Sequence, residues 1–293
     1  MSLPAARKKD PTLCAVHVSG AIDEVPDREV ETHGAQQARA GDRCLCFGGA
    51  ADLIVTGSES VLVNGVPAAR SADRTLHGGV IFGGASEVLI GGPRIGITIG
   101  DADLSKTRAA CAAAAAGRAG GNREQSAWNC GIEACRTIIN RANRSAIGED
   151  ELMDEAYGAG NARPERAGTP RHWWGGTTAE DREKILARHG VPSTRREPDM
   201  KEIAIALSER KGVMTSHDKG WLDGGQKMHN DSRHVVVVTA VAFDGSGNMT
   251  SVSMVDSSFA RCSRVVPAEQ FAGSFQREKG VIVPMNVTDG PLW

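Results

Sequence analysis

The chain has 293 residues, enough for two domains of ordinary size. Its 34 basic and 36 acidic residues leave a net charge of -2, with no field of one sign to hold nucleic acid or an anionic membrane. No run approaches the roughly 18 apolar residues of a membrane span, and residues 1–10 lack the apolar core of a secretory signal. The expected product is therefore made in the cytoplasm without a signal peptide, and its export would have to read a folded domain.

Up to about residue 105 the sequence is Gly, Val and Ile in short alternating segments. Ser60-Val61-Leu62-Val63 and Glu87-Val88-Leu89-Ile90 are examples, closed by Asn64-Gly65 and Gly91-Gly92, and they predict short strands and tight turns. Residues 109–121 are almost entirely Ala, Gly and Arg, which reads as a linker. Beyond it the spacing predicts helices over 131–143, 149–157 and 178–189, and strands over 213–216, 235–241 and 252–255, an α+β domain. The expected division is 1–105, a linker at 106–121, and 122–293. Seven cysteines at irregular spacing fit metal ligands and a nucleophile better than a disulfide framework, so reduced thiols are expected.

The first half repeats itself. Pro4-Ala5-Ala6-Arg7-Lys8-Lys9-Asp10 returns as Gln36-Gln37-Ala38-Arg39-Ala40-Gly41-Asp42 and as Pro67-Ala68-Ala69-Arg70-Ser71-Ala72-Asp73, implying a pseudo-threefold body. Four residues beyond each Asp stands a ligand-type residue: Cys14, Cys46 and His77. Any one of them alone reads as a small buried hydrophobe or a turn residue. Recurrence at one offset in every repeat favours convergence on the axis, with His17 as a fourth donor. A Cys2His2 set suits tetrahedral, structural zinc, which would cross-link a β-rich body whose core is small. Cys44 is the substitute for Cys46, outside the repeat register. Asp10, Asp42 and Asp73 are expected to hold turns or pair with the repeat arginines.

The literal Pro-Ala-Ala-Arg at 4–7 and 67–70, the phrase Val63-Asn64-Gly65-Val66-Pro67 and the Asp-x3-Cys/His repeat resemble PAAR proteins over roughly residues 1–100. The resemblance implies a β-rich cone with zinc near its point, held by Cys14, His17, Cys46 and His77, capping the trimeric VgrG spike of bacterial type VI secretion. The middle repeat departs from the motif with Gln36-Gln37-Ala38-Arg39.

In the second half, Gln125-Ser126-Ala127-Trp128-Asn129-Cys130-Gly131 places Cys130 directly before a helix whose buried face is Ile132, Cys135, Ile138 and Ile139. Free N–H groups and the positive end of the dipole stabilise a thiolate there, and the Cys130 N–H with the Gln125 amide can bind an oxyanion. His234 opens the strand His234-Val235-Val236-Val237-Val238. The turn Asp244-Gly245-Ser246-Gly247-Asn248 then returns Asp256 toward it, giving a candidate Cys130–His234–Asp256 triad. Cys135 and Cys262 read as core, Asp244 as a turn former, Trp173-Trp174 as core or groove lining, and His172, His189, His217 and His229 as surface or loop residues.

Gln125, Cys130-Gly131, His234 with its Val-rich strand and Asp256 on the next strand resemble papain-like cysteine peptidases over roughly 122–285, within them the bacteriocin-processing peptidases of export transporters. The spacing of five from Gln125 to Cys130 is one shorter than that family's. Together the two resemblances imply a type VI effector: a PAAR tip delivering a cysteine protease, with no catalytic cofactor, to a protein substrate in the target cell's cytoplasm, and a cognate immunity protein in the producer. A glutamine deamidase or transglutaminase would use the same triad. A non-catalytic spike cap with a partner-binding C-terminal domain would use none of it.

Overall fold

The structure is a computed structural model and describes residues 2–25, 30–103, 105, 129–164, 174–225, 233–258, 262–275 and 283–285, with the backbone alone at 164, 174 and 283–285. The chain forms two compact units: Met1–Ile99 with Ala242–Thr250, and Gly100–Val241 with Ser251–Trp293.

The first unit is built from β1 (Pro11–Cys14), β2 (Val18–Glu24), β3 (Arg43–Cys46), β4 (Ala51–Leu53) and β5 (Val80–Ile81), in the sheet order β5-β1-β2-β3-β4. Short two-stranded pairs flank it, among them Leu62–Val63 with Val66–Pro67. These are joined by Asn64 (φ 50°) and Gly65 (φ 79°), the positive-φ pair that an Asn-Gly hairpin turn requires.

The threefold repeat is literal in the backbone. The Ala6 N–H donates to the Ala69 carbonyl (3.0 Å), Ala69 N–H to Ala38 (3.0 Å) and Ala38 N–H to Ala6 (2.8 Å), a closed ring through the three motifs. Ala6, Ala38 and Ala69, which form the ring, are fully buried, as are Ala5 and Ala68 beside them. Each repeat Asp accepts from the N–H of its own Arg, at 2.7, 2.9 and 2.8 Å for Arg7–Asp10, Arg39–Asp42 and Arg70–Asp73. Gln37, where the other repeats have Ala, is buried but satisfied. Its amide N–H donates to Ala38 and Ala69 carbonyls and its oxygen accepts from the Thr32 hydroxyl, so the degenerate repeat keeps its geometry.

The second unit contains α1 (Cys130–Asn143), α2 (Glu149–Gly158), α3 (Ala179–Arg188), α4 (Met200–Ser208), α5 (Lys219–Leu222) and α6 (Ala268–Gly273). The main path of its sheet runs β9-β8-β7-β6-β10, where β6 is Gly212–Asp218, β7 Arg233–Phe243, β8 Met249–Val255, β9 Ser263–Pro267 and β10 Val283–Met285. Ile132, Cys135, Ile138 and Ile139 of α1 pack with Leu152 and Met153 of α2, Ile185 and Leu186 of α3, and Met214, Val235, Val237 and Val255 of the sheet. Alternation turns Val236 and Val238 to the other face, where they too are buried, and α4 lies against the neighbouring β6. Burial on both faces explains the unbroken valine run. Among the described residues no helix is long and apolar enough to cross a membrane.

Candidate metal centre and candidate active site

Cys14, His17, Cys46 and His77 present donor atoms that all lie within 4.8 Å of one another. Cys14 Sγ is 3.4 Å from His17 Nδ1 and 3.6 Å from His77 Nδ1, and Cys46 Sγ is 3.7 Å from His77 Nδ1. Bond lengths of 2.0–2.3 Å around a tetrahedral zinc imply ligand–ligand edges of about 3.3–3.8 Å, so the donor set and its spacing fit a four-coordinate ion. The repeats bring the donors together: β1 and β3 end in Cys14 and Cys46, and His77 lies in the turn before β5. Burial, the hydrogen bond with Cys14 and the Asp52 carboxylate push the Cys46 thiol up to about 12, an environment that disfavours a bare thiolate and that a cation would reverse. Sequence reasoning missed Asp52. It is fully buried, accepts from the His77 N–H at 3.0 Å and lies 3.8 Å from the His77 ring. Cys44 lies outside the cluster, buried against Ile22 and Ile54. Asp10, Asp42 and Asp73 pair with the repeat arginines.

The repeat region has a counterpart among known families. Residues 17–83 match the PAAR motif. The PAAR match spans three of the four clustered ligands, His17, Cys46 and His77, and begins three residues after Cys14. Among curated proteins, none matches this chain.

In the second unit, Cys130 is the first residue of α1 and is half-buried. The carbonyl of Asn129 accepts from Ile132 and Glu133 N–H at 2.8 and 3.0 Å. The Asn129 side chain, turned away from the helix start, donates to Glu149 at 2.9 Å. His234, 2 % exposed, is the second residue of β7, and Asp256, fully buried, follows β8. His234 Nε2–H donates to Asp256 Oδ1 at 2.6 Å, leaving Nδ1 as the nitrogen for the Cys130 thiol. Burial disfavours charge on Cys130, but its hydrogen bond with His234, the His234 charge, the Val235 N–H and Arg182 outweigh it, and the thiol lies below its ordinary value. Burial likewise opposes charge on His234, and Asp256 and Cys130 overcome it, raising the imidazole to about 9. Asp256 is held well below the usual carboxylate range by His234 and Arg264 against its own burial. All three shifts favour a thiolate–imidazolium pair.

Two further residues complete the carboxylate's surroundings. Ser258 donates to Asp256 Oδ1 through N–H (3.0 Å) and hydroxyl (2.8 Å), and its hydroxyl in turn accepts from Lys219 at 2.9 Å. Arg264 Nε lies 2.9 Å from Asp256 Oδ2. The Asp-x-Ser spacing is a turn signature that sequence alone could have offered; nothing in the sequence marked Arg264.

Gln125, His172, Trp173 and His229 lie outside the described residues. Cys135 is core, as expected. Asp244 accepts from Ser246 and Asn248 N–H within its turn, and His189 pairs with Glu155 at 3.0 Å. Two expectations are corrected. His217 is fully buried rather than at the surface, between the hydroxyls of Thr215 (2.7 Å) and Ser274 (2.6 Å) and against Phe271 and Phe275. It lies inside because those hydroxyls satisfy both ring nitrogens, and burial pushes it down to about 3. Cys262 is disulfide-bonded, so the thiols are not all reduced: an odd cysteine count admits a bridge beside free thiols.

Proposed function

We propose that this chain is a type VI secretion effector whose PAAR domain caps a VgrG spike and whose second unit is a papain-like cysteine protease acting on a protein of the target cell. The PAAR motif supports a spike-tip protein, and the Cys2His2 donor set supports zinc as its ion. Zinc there supplies a structural cross-link and no catalytic step. The observation that carries the hydrolase reading is the convergence of Cys130, His234 and Asp256 with their charges shifted toward an ion pair.

In the proposed reaction the Cys130 sulfur attacks a peptide carbonyl, and the oxyanion is met by the Cys130 N–H and by Gln125. Protonated His234 gives its proton to the leaving amine, which leaves an acyl-enzyme. His234, now neutral, takes a proton from water, and the hydroxide releases the acid and the thiol. Asp256 holds the ring in one tautomer throughout. A thiolate nucleophile favours the reducing cytoplasm of the target cell, where the Cys262 bridge would be subject to reduction, and the producer requires an immunity protein that covers the site.

The full chain and its Cys130→Ala variant, expressed in bacteria without an immunity protein, test this. Growth arrest with new protein termini, both lost in the variant, is expected. Arrest with a target heavier by about one dalton and no new termini would identify a deamidase, and equal toxicity of the two chains would overturn the mechanism.

A further inference from the structure

Among the described residues, no carboxylate pairs with the buried Arg182. It lies on α3, is 4 % exposed, and its Nη1 donates to the Thr177 carbonyl (3.2 Å) and hydroxyl (3.4 Å), its Nη2 to the Ser216 hydroxyl (3.2 Å). Its Nε has no acceptor among the described residues. The neighbouring carboxylate, Asp181, is taken up by the N–H and hydroxyl of Thr178 in the cap of α3, and Arg195, which also faces Arg182, is paired with Glu183. A buried cation with neutral partners alone is strongly unfavourable.

Its position sharpens the problem. A Cβ placed on Gly131 would lie 3.2 Å from Arg182 Cδ, so the arginine stem runs against the first turn of α1, where unpaired N–H groups already carry positive partial charge. Glycine at 131 is required chiefly by Thr177, whose hydroxyl that Cβ would overlap, and it leaves room for the arginine stem as well. Two thiols stand in this region. Cys135 contacts the Arg182 carbonyl at 3.9 Å, and burial, opposed by Arg182, pushes it up to about 12, so it stays neutral. Cys130 is half-buried at the helix start, next to His234 and the Val235 N–H. Ser216, which holds Nη2, pairs across the sheet with Val235. Arg182 is thus tied to both elements that carry the reacting groups.

We propose that Arg182 is the second counter-charge of the Cys130 thiolate, a positioning residue that keeps the sulfur anionic before it attacks the carbonyl and again when deacylation releases it. The inference rests on the hydrolase reading above. It also explains the arginine: the anion that the burial requires is the nucleophile itself.

The test is the pH dependence of iodoacetamide alkylation of Cys130 in the full chain, followed by mass spectrometry of the Cys130 peptide. In the wild type the midpoint is expected below that of a free thiol. Arg182→Met is expected to raise it by about one pH unit, slowing alkylation near pH 6 about tenfold, with the alkaline plateau unchanged. Arg182→Lys, which keeps the charge, is expected to restore the low midpoint. Arg182→Gln keeps donors for Ser216 and Thr177 without the charge and gives the readout if the Met variant does not fold. A structural role alone would change the plateau and leave the midpoint in place. A low wild-type midpoint that neither neutral variant moves would overturn this role for Arg182 and leave the hydrolase reading standing. A wild-type midpoint equal to that of a free thiol would remove both.

Discussion

Asp256 Oδ1 accepts three hydrogen bonds, from His234 Nε2 and from the N–H and hydroxyl of Ser258. A carboxylate so held both orients the imidazole and stabilises its protonated form. Asp256→Asn keeps the shape but removes the charge. It is expected to move the alkaline limb of hydrolytic activity from about 9 toward 6.5 and to lower the rate about a hundredfold or more, measurable as a pH–rate profile. The acid limb belongs to the Cys130–His234 pair as a unit, displaced below an ordinary thiol. The folding consequence has a fixed sign. Because His234 is raised when folded, its proton contributes stability that is complete below about 6.5 and is lost as pH rises through about 9. That alkaline loss should be smaller in urea unfolding of the Asn variant, where Cys130 alone still favours the imidazolium. At this scale the sequence could be read wherever a residue type announces its chemistry, as Cys130, His234 and Asp256 do. Arg182, Arg264 and Asp52 were not legible, since their meaning lies in what they are buried against, and surface arginines and aspartates look the same in a string.

The elements divide in the same way. Strands closed by Asn-Gly and helices with one apolar face, such as α1 and α3, announce themselves by period and cap; Thr178 and Asp181 form the reciprocal cap that opens α3. Helix α4 went unread because Ile203-Ala204-Ile205-Ala206-Leu207 alternates like a strand, although Asp199 caps it by accepting from Lys201 and Glu202 N–H. In the first unit the repeat placed the ligand-bearing turns with no need of core periodicity. Those turns predict a discriminating experiment. Cys46→Ser and His77→Ala are expected to take bound metal well below one ion per chain and to lower the first unit's melting temperature, each ~1 kcal/mol lost costing about 4–8 °C. Chelation of the wild type should do the same. Cys44→Ser, two residues away but packed against Ile22 and Ile54, should leave the metal content unchanged. Metal loss in the Cys44 variant alone would exchange the two cysteines.

At the scale of the whole molecule the chain does not simply finish one unit and start the next. It leaves the first unit after Ile99, returns to it for Ala242–Thr250, and leaves again at Ser251. The returning segment is the tip of the β7–β8 hairpin, and it is held within the first unit by backbone. Phe243 N–H donates to the Ile97 carbonyl at 2.9 Å, and a Cβ on Gly247 would lie 2.8 Å from Arg74 Cβ. The turn at 244–248 was legible, because Asp, Gly and Asn form it locally; its membership of the first unit was not, because no sequence pattern encodes a contact across about 150 residues. A fragment of residues 100–293 therefore keeps α1, His234 and Asp256 but strips the hairpin tip of Ile97 and Arg74. Hydrogen exchange should report this as loss of protection at 242–250 relative to the full chain, with the buried amides of α1 and of 234–241 retaining theirs. Protection lost across α1 as well would mean that the second unit does not hold its fold without the first, and any cargo reading of the chain would then have to treat both units as one folding unit.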